Sequence, residues 1–371
     1  MTKILITGAS GFVGKNLTLE LRNRGFNNLF LYDIDTAPEL LDTYTAECDF
    51  VFHLAGVNRP KDPKEFMTGN FGFTSLLLEK LQAHGNKAPI LITSSIQAAL
   101  SNPYGESKKA GEDLIRSYGE ENGVRTYIFR LPNVFGKWCR PNYNSAVATF
   151  CHNTARNLPI TVNDPSVLLT LVYIDDVVNE LIFALTDQVY RDAADFCKVR
   201  TEHSIHLGEI VTLLEEFKAS RSTLQVPTMS DPFTKKLYST YLSYLPTDQF
   251  AYDLLMHTDN RGSFTEFLKS PDRGQVSINI SKPHIVKGNH WHHTKNEKFL
   301  VVSGQGVVRF RQPSSEEIIT YRVSGDKLQV IDIPTGYTHN IENTGDTDMV
   351  TVMWVNEVFD PEHPDTYFLN V

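Results

Sequence analysis

Cysteine is scarce in this chain, with four residues among 371: Cys48, Cys139, Cys151 and Cys197. They are scattered and form no Cys-x-x-Cys pair. This distribution excludes a disulfide-rich secreted scaffold and favours free thiols in a reducing compartment. We therefore expect a cytoplasmic protein.

Long apolar runs and an excess of positive charge are also missing. No stretch approaches the ~18 consecutive apolar residues of a membrane span. A strand-like segment, residues 3–7, opens the chain without the charged and apolar regions of a signal peptide. Lys and Arg number 35 against 44 Asp and Glu, a net charge of −9. This balance argues against a nucleic-acid or anionic-membrane partner.

The composition is otherwise that of an ordinary globular protein, 41% hydrophobic and 21% charged. The chain length of 371 residues favours two domains. The first ~130 residues alternate short apolar runs with helical patterns, which is typical of parallel βαβ units. The predicted strands are 3–7, 29–33, 50–54, 90–93 and 126–130, and the predicted helices are 11–23, 73–84 and 104–121.

The pattern then changes twice. Between residues 133 and 245 it is mixed and predicts a smaller substrate-binding subdomain, with helices near 146–157, 175–185 and 207–219. A proline- and tyrosine-rich stretch, 226–249, ends this part. From residue 259, short alternating runs predict an antiparallel barrel or jelly roll, at 275–280, 298–302, 307–311, 318–323, 329–333 and 349–355. We expect an α/β domain with a doubly wound parallel sheet over 1–247 and an all-β barrel over 248–371.

A glycine-rich loop follows the first predicted strand and opens a helix. Gly8, Gly11 and Gly14 are spaced GxxGxxG, and glycine lets backbone N–H groups approach a pyrophosphate at the helix N-terminus. Asp33 ends the second strand, where an acid accepts from ribose hydroxyls; a strand-terminal turn residue is an equal alternative. The loop predicts a dinucleotide site that also includes Ser10, Phe12 and Val13.

A tyrosine and a lysine lie one turn apart at the start of a later helix. Tyr104 and Lys108 therefore share a face. A phenol with a pKa of ~10 is a poor acid–base group at neutral pH unless a nearby ammonium lowers that pKa, and we expect Lys108 to do so. Ser95, at the end of the preceding strand, can hydrogen-bond the reacting oxygen, and Ser94 is the alternative. The group predicts a redox site.

These motifs resemble the extended short-chain dehydrogenase/reductase family over about residues 1–245, as do the blocks 53–56, 130–136 and 172–177. The resemblance implies a Rossmann-like fold and NAD(P)-dependent chemistry on nucleotide sugars. It places Leu54, Ala55 and Gly56 at the cofactor, and it places Asn70, Arg130 and Asn133 at the substrate.

Two departures from this family narrow the chemistry. Ile96 and Gln97 stand where its sugar dehydratases carry an Asp-Glu pair, and the cysteine used there by the reductase/epimerases that make GDP-fucose is also absent. The segment from Ser95 to Tyr104 is shorter than expected. The site is therefore predicted to transfer hydride without eliminating water or inverting a carbon centre.

A second constellation lies in the predicted barrel. His290, His292 and Glu297 follow the pattern HxHx₄E, and His339 lies in a PxGxxHx₃N pattern. Alternate strand residues face the same way, so both early histidines point inward, and the four side chains form a ligand set for Zn²⁺ or another divalent transition metal. His293 would face outward, or become a ligand if the strand bulges.

This region resembles the cupin family over about residues 255–371, although His284 stands where a glycine usually opens the first motif. The segment 259–264 resembles the cupins that are sugar-nucleotide 3,5-epimerases and ketoisomerases. A reductase followed by a cupin resembles the bifunctional enzymes of capsular polysaccharide (UDP-N-acetyl-L-fucosamine) biosynthesis. That resemblance implies C3 epimerisation of a UDP-2-acetamido-2,6-dideoxy-4-ketohexose by the cupin. His293 and Tyr337 are candidate proton carriers by their position in the sequence alone. Reduction of the C4 ketone would then give UDP-2-acetamido-2,6-dideoxy-L-talose.

Two alternatives stay open. One is a single-activity nucleotide-sugar reductase whose cupin is a dimerisation module. The other is a dinucleotide-binding sensor, which is disfavoured because Tyr104 and Lys108 are both present. For the cofactor, Asp33 would repel a 2′-phosphate and favour NADH, whereas the family resemblance favours NADPH and Arg59 could offset the repulsion. We expect NADPH, and we expect a homodimer because such a barrel commonly pairs with a second copy.

Overall fold

The computed structural model describes residues 2–371. The chain forms two compact units. The first comprises the chain up to Glu215 together with Ser230–Pro246, and the second comprises Glu216–Met229 together with Thr247–Val371. Among the described residues, none of the helices has the length and apolarity needed to cross a membrane.

The first unit is built on a five-stranded parallel sheet, which confirms the predicted fold. Its strands are nearly continuous runs of apolar residues because helices cover both faces. The order is β2-β1-β3-β4-β5, so the strand order reverses between β1 and β3. In such sheets, ligands bind outside the carboxyl ends of the strands at this reversal. The bounds are β1 Ile4–Thr7, β2 Leu29–Tyr32, β3 Phe50–His53, β4 Ile90–Ser95 and β5 Thr126–Leu131.

The helices of this sheet include one that the sequence pattern did not predict, α2. It begins at Pro38, which suits the first helical turn, but it buries only Leu41 and Thr45 and therefore has a weak apolar stripe. Asn102 caps α5, because its side chain accepts from the Gly105 N–H at 2.8 Å. The bounds are α1 Phe12–Asn23, α2 Pro38–Glu47, α3 Lys64–Phe66, α4 Phe73–Ala83 and α5 Pro103–Asn122, with a π-helix at Met67–Gly72 and a 3₁₀-helix at Ile96–Ala99.

The rest of the first unit contains a small three-stranded sheet of order β6-β7-β8. Helix α9 lies in the proline-rich stretch that the sequence indicated as a junction. Pro232 occupies its first turn, and Asp231 caps it by accepting from the Thr234 N–H at 2.8 Å. The bounds are β6 Asn133–Phe135, α6 Ala146–Thr154, β7 Leu168–Tyr173, α7 Ile174–Phe183, a 3₁₀-helix at Ala184–Thr186, β8 His203–His206, α8 Leu207–Thr223 and α9 Pro232–Leu242. Helix α8 is divided between the units, because its residues from Glu216 onward belong to the second one.

The second unit is all-β, as predicted. Two antiparallel sheets have the orders β16-β13-β18-β11-β10-β9 and β15-β14-β17-β12-β19. Their inward side chains form one core that includes Phe299, Val308, Phe310, Ile341 and Met349. After a 3₁₀-helix at Thr247–Gln249, the strands are β9 Met256–Asp259, β10 Gly262–Ser270, β11 Gly274–Ser281, β12 Val286–Trp291, β13 Glu297–Ser303, β14 Gln305–Arg311, β15 Ile318–Ser324, β16 Val330–Ile333, β17 Thr338–Asn343, β18 Met349–Val355 and β19 Tyr367–Phe368.

Candidate functional site

The glycine loop lies at the strand reversal and is closely packed. Gly8 has φ +69°, in the left-handed region, and a Cβ there would lie 2.7 Å from the Ala55 backbone nitrogen. A Cβ on Gly14 would lie 2.2 Å from the Gly8 carbonyl oxygen. Leu54 is held beside the loop because its N–H donates to the Thr7 carbonyl at 3.1 Å. Only glycine fits the first and last of the three loop positions.

Backbone groups of this loop fit a dinucleotide phosphate. Gly11 is the N-cap of α1 and provides no side-chain hydrogen bond to the first-turn N–H groups. These donors are therefore available to an anion. Phe12 and Val13 pack their side chains against the core of the unit, so any cofactor contact they make comes from the backbone.

Asp33 lies against the same loop. One carboxylate oxygen accepts from the Ser10 N–H at 2.7 Å and the other accepts from the Ile34 N–H at 2.8 Å. This geometry places a negative charge at the end of β2 beside the loop. This position of Asp33 is compatible with both predicted roles, an acid that binds the ribose and a turn residue at the end of a strand.

The predicted catalytic residues come together at the start of α5. Lys108 is buried, and its ammonium donates to the Thr93 carbonyl at 3.1 Å. The Tyr104 hydroxyl donates to Asn58 Oδ1 at 3.1 Å, a contact that no sequence motif indicated. Burial raises the pKa of Tyr104, and a hydrogen bond with Ser95 opposes that rise. Burial also lowers the pKa of Lys108 to about 8, with Glu112 opposing.

The direction of the Tyr104 pKa differs from the sequence-based expectation, because burial of the phenol raises it and the opposing effect comes from Ser95 rather than from Lys108. The phenol is therefore neutral at neutral pH and holds the proton that a nascent alkoxide needs.

The two candidate serines face opposite ways. Strand β4 extends to Ser95, and adjacent strand residues point to opposite faces. Ser94 is buried and donates to Glu112 Oε1 at 2.5 Å, whereas Ser95 lies by Tyr104. The geometry favours Ser95 as the serine of the redox group.

Arg130 is engaged within the protein. Its Nε and Nη2 donate to the two carboxylate oxygens of Glu112 at 2.9 and 2.6 Å, and its guanidinium lies 3.8 Å from the centre of the Phe196 ring. Register explains this arrangement, since Ser94 and Arg130 are cross-strand partners on β4 and β5. The predicted substrate residue thus belongs to a buried cluster with Glu112.

Asn70 also has internal partners. Its Oδ1 accepts from the Val57 N–H at 2.8 Å, and its Nδ2 donates to the Val57 carbonyl at 3.1 Å and to the Ser107 hydroxyl at 3.0 Å. A Cβ on Gly56 would lie 3.2 Å from the Lys108 ammonium. Asn70 therefore holds the loop after β3 close to Lys108. Asn133, the third predicted substrate residue, is exposed at the start of β6.

The four predicted metal ligands converge inside the second unit. One ligand atom from each of them lies within 4.8 Å of the others. Glu297 Oε2 is 3.2 Å from His339 Nε2 and 3.5 Å from His292 Nε2. These three atoms are buried and have no hydrogen-bond partner. A divalent ion fits this donor set, because it would satisfy buried polar atoms that are otherwise costly. The set is His290, His292, Glu297 and His339.

The protonation states of Glu297 and His290 also suit a metal, whereas the pKa of His292 is raised because the Glu297 carboxylate and the Asp365 carbonyl outweigh burial. Although burial opposes it, the neighbouring His292 and His339 imidazoles lower the pKa of Glu297 to about 2. Burial lowers the pKa of His290 to about 4, and the neighbouring His339 adds to this effect. At neutral pH the carboxylate is charged and His290 is neutral, which are the forms that bind metal.

Asp365 orients one ligand and its loop. Its backbone carbonyl accepts from His292 Nδ1 at 2.6 Å, which leaves Nε2 as the ligating nitrogen. Its side chain accepts from the N–H groups of His293, Thr294 and Lys295 at 3.0, 2.9 and 2.9 Å. No sequence pattern indicated this residue.

The predicted proton carriers lie elsewhere. His293 is exposed, and its ring contacts Trp291 and Tyr367 with centroid distances of 4.7 and 4.8 Å. Neither His293 nor Tyr337 lines the cavity that reaches the metal group. Both were predicted from position alone, and the structure does not bring either of them to this cavity. His284, at the glycine position of the motif, has φ +63°, the left-handed region that glycine adopts without strain.

A cavity of ≈ 550 Å³ lies beside the four-ligand group formed by His290, His292, Glu297 and His339. Its wall combines ligands with polar and apolar side chains, among them Lys287, Asn279, Phe264 and Met353. The volume suits a small-molecule ligand.

Known families match both units. The NAD dependent epimerase/dehydratase family matches residues 4–194, and the polysaccharide biosynthesis C-terminal domain matches residues 257–367. The chain therefore belongs to the NAD dependent epimerase/dehydratase family and carries this second domain after it.

Three individual proteins show more specifically what the chain is similar to. The chain is 57% identical to the capsular polysaccharide assembling protein CapF from Staphylococcus aureus, covering 100% of both chains with a TM-score of 0.95. It is 45% identical to the UDP-2-acetamido-2,6-beta-L-arabino-hexul-4-ose reductase of Pseudomonas aeruginosa, covering 100% of this chain and 99% of that protein. It is 25% identical to RMD from P. aeruginosa complexed with NADPH, covering 59% and 82% of the chains with a TM-score of 0.50. The predicted resemblance to a capsular polysaccharide enzyme is confirmed.

Proposed function

We propose that the first unit reduces the C4 ketone of a UDP-linked 2-acetamido-2,6-dideoxy-4-ketohexose, with NADPH as the cofactor. The observation that carries this proposal is the grouping of Tyr104, Ser95 and Lys108 next to the loop after β3, which itself packs against Gly8 of the glycine loop. The reductase of P. aeruginosa, whose name specifies a 4-ulose, and the NADPH complex of RMD support the substrate class and the cofactor.

The chain's own residues handle the proton in this reaction. The reduced nicotinamide, when bound, supplies a hydride for the C4 carbon. Tyr104 donates its phenolic proton to the C4 oxygen, and Ser95 hydrogen-bonds that oxygen so that the ketone is oriented. The Lys108 ammonium stabilises the phenolate that Tyr104 becomes.

We further propose that the second unit epimerises C3 before this reduction. A proton next to a ketone is acidic because the resulting carbanion is an enolate, and this acidity is lost once C4 is an alcohol. Epimerisation must therefore come first. The cavity beside the four-ligand group supports the proposal, because it offers a small-molecule site with charged and polar walls. The product of both steps is UDP-2-acetamido-2,6-dideoxy-L-talose.

The four-ligand group would hold Zn²⁺ or another divalent transition metal. Three imidazoles and one carboxylate match the borderline softness of zinc. Bound there, the ion would neutralise the Glu297 charge and fix β12, β13 and β17 to one another. We also propose a homodimer, which is supported by exposed apolar side chains on β15 at Ile318, Ile319 and Tyr321; light scattering on the purified chain tests it.

One experiment separates the bifunctional proposal from a single-activity reductase. Tyr104→Phe removes the proton donor, so we expect NADPH-dependent reduction to fall by roughly 10²–10⁴-fold. The same variant should still exchange the C3 proton of the 4-keto sugar for deuterium in D₂O, as followed by NMR. Near-normal reduction would refute the role of Tyr104. If the wild-type chain exchanges no C3 proton, the second unit is a structural module and the chain is a reductase alone.

A further inference from the structure

Lys287 is a charged cavity residue that the proposed metal group does not use. Of the other titratable residues in the wall, His290, Glu297 and His339 belong to that group, and His257 is exposed. Asp259 and Arg261 pair with each other at 2.7 Å at the exposed edge. Among residues 2–371, Lys287 forms no ion pair with a carboxylate, and it is half-buried. Its ammonium is therefore not held in a surface ion pair.

A β-bulge brings Lys287 to this wall. Lys287 is opposite Ile341 on β17, and His290 is opposite His339, with the register shifted between them. Asn289 is the extra residue and has φ +61°. Because the bulge inserts one residue, Lys287 and His290 face the same cavity although they are three apart.

Two hydrogen bonds hold the Lys287 ammonium. It donates to Asn279 Oδ1 at 2.7 Å and to the Ile280 carbonyl at 2.9 Å. An ammonium has three donors and no acceptor, so one N–H remains for a ligand in the cavity. Burial lowers the pKa of Lys287, with Asp259 opposing, and this makes the remaining N–H a stronger donor.

The proposed epimerisation needs such a donor. When the C3–H bond breaks, its electron pair becomes the C3–C4 double bond, the carbonyl electrons move to the C4 oxygen, and the proton passes to solvent. Return of a solvent proton to the opposite face restores the ketone with C3 inverted and no net redox change. The oxyanion in between is the species that a preorganised donor stabilises. Because the four side chains would supply the full ligand set of a tetrahedral ion, a donor outside that set is the candidate for stabilising the oxygen.

We propose that Lys287 is a catalytic residue of the second unit: its ammonium donates a hydrogen bond to the C4 oxygen of the 4-keto sugar. Asn279 acts as a positioning residue that aims this ammonium. The inference rests on the proposed C3 epimerisation and names the electrophilic group for it.

The test uses the full-length chain and the UDP-linked 4-keto sugar in D₂O without cofactor, with C3 deuterium incorporation followed by NMR. Removal of an oxyanion donor typically costs ~10²–10³-fold in rate, and we expect a loss of this order for Lys287→Met. Lys287→Arg, which keeps the charge, should retain exchange within about 10-fold. Lys282→Met is the matched control: Lys282 is exposed, pairs with Asp348 at 2.8 Å and lies outside the cavity wall, so its removal should change nothing.

A rescue experiment separates chemistry from packing. Lys287→Cys should be inactive and should regain exchange after alkylation with 2-bromoethylamine, which rebuilds an ammonium. The four native cysteines are buried, so the reagent is directed to position 287. Asn279→Ala should lower the exchange rate while leaving the ammonium in place.

The outcomes are distinct. Absence of exchange in the wild-type chain would refute the epimerisation itself. Wild-type exchange that persists in Lys287→Met, or alkylated Lys287→Cys that stays inactive, would overturn the role of Lys287 and leave epimerisation standing. Reduction of an already epimerised 4-keto sugar by Lys287→Met should equal that of the wild-type chain, because the first unit is unchanged.

Discussion

Replacing Glu112 with glutamine tests whether Arg130 serves the fold or the substrate. Glu112 accepts both Arg130 hydrogen bonds, at 2.9 and 2.6 Å, and the Ser94 hydroxyl at 2.5 Å. Its side chain is 2% exposed and that of Arg130 is 22% exposed. Glu112→Gln therefore leaves a largely buried guanidinium without its counter-charge.

The magnitude follows from this burial. Breaking a fully buried ion pair by removing one partner costs roughly 3–5 kcal/mol. Because the Arg130 guanidinium keeps some solvent and lies on the Phe196 ring, we expect a smaller loss of unfolding free energy, about 2–4 kcal/mol. Urea unfolding measures this loss of unfolding free energy, and hydrogen exchange of peptides from α5 shows whether that helix is destabilised. Asp113→Asn on the same helix is the control: its pair with Lys109 is exposed at both partners, at 62% and 56%, and should be worth less than about 0.5 kcal/mol.

The same variant has a catalytic signature. Glu112 raises the pKa of Lys108, which burial lowers to about 8. In Glu112→Gln this pKa should fall further, so reduction should be lost at a lower pH than in the wild-type chain as the ammonium deprotonates. A stability loss below about 1 kcal/mol together with a raised KM for the sugar nucleotide would refute the structural role. That result would indicate that Arg130 binds the substrate.

Three further predictions concern the metal, acid stability and the cofactor. Asp365→Ala keeps the carbonyl that meets His292 but removes the carboxylate that holds the loop N–H groups of residues 293–295, so it should weaken metal binding by roughly 10–100-fold in chelator competition. Asp360→Ala is the unaffected control, and equal affinities would show that the Asp365 side chain does not support the ligand loop. Burial lowers the pKa of His53 from 6.5 to about 3, so only the unfolded chain binds this proton in that window. Stability should therefore fall as the pH drops from 6.5 towards 3, by up to ~1.4 kcal/mol per pH unit, and a slope unchanged in His53→Gln would contradict this. Asp33→Ser should raise the NADPH-to-NADH ratio of kcat/KM by roughly 10-fold, and an unchanged ratio would show that Asp33 does not meet the 2′-phosphate.

The sequence determined the parts of this protein that depend on local pattern. Short apolar runs separated by helical patterns predicted the parallel sheet, and runs of alternating apolar and polar residues predicted the all-β unit. Both patterns are visible in the sequence because they follow which residues of each element are buried. The glycine loop, Tyr104 with Lys108, and the four candidate metal ligands could be predicted because the chemistry expected of them fixes residue type and spacing. Helix α2 was missed because it buries too few side chains to leave a periodic signal, and α9 was missed because its proline lies in a helical first turn rather than in a linker.

Only the tertiary structure decided where side chains point and what they meet. Ser94 and Ser95 are neighbours in sequence, yet the pleat of β4 sends one to Glu112 and the other to Tyr104. Asp365 is more than seventy residues from His292 in the sequence, yet its backbone carbonyl accepts a hydrogen bond from the His292 ring. The bulge at Asn289 depends on pairing with β17, and no one-dimensional pattern records that pairing. Chain direction and register are properties of the folded sheets, so contacts between distant residues exist only after the strands have paired.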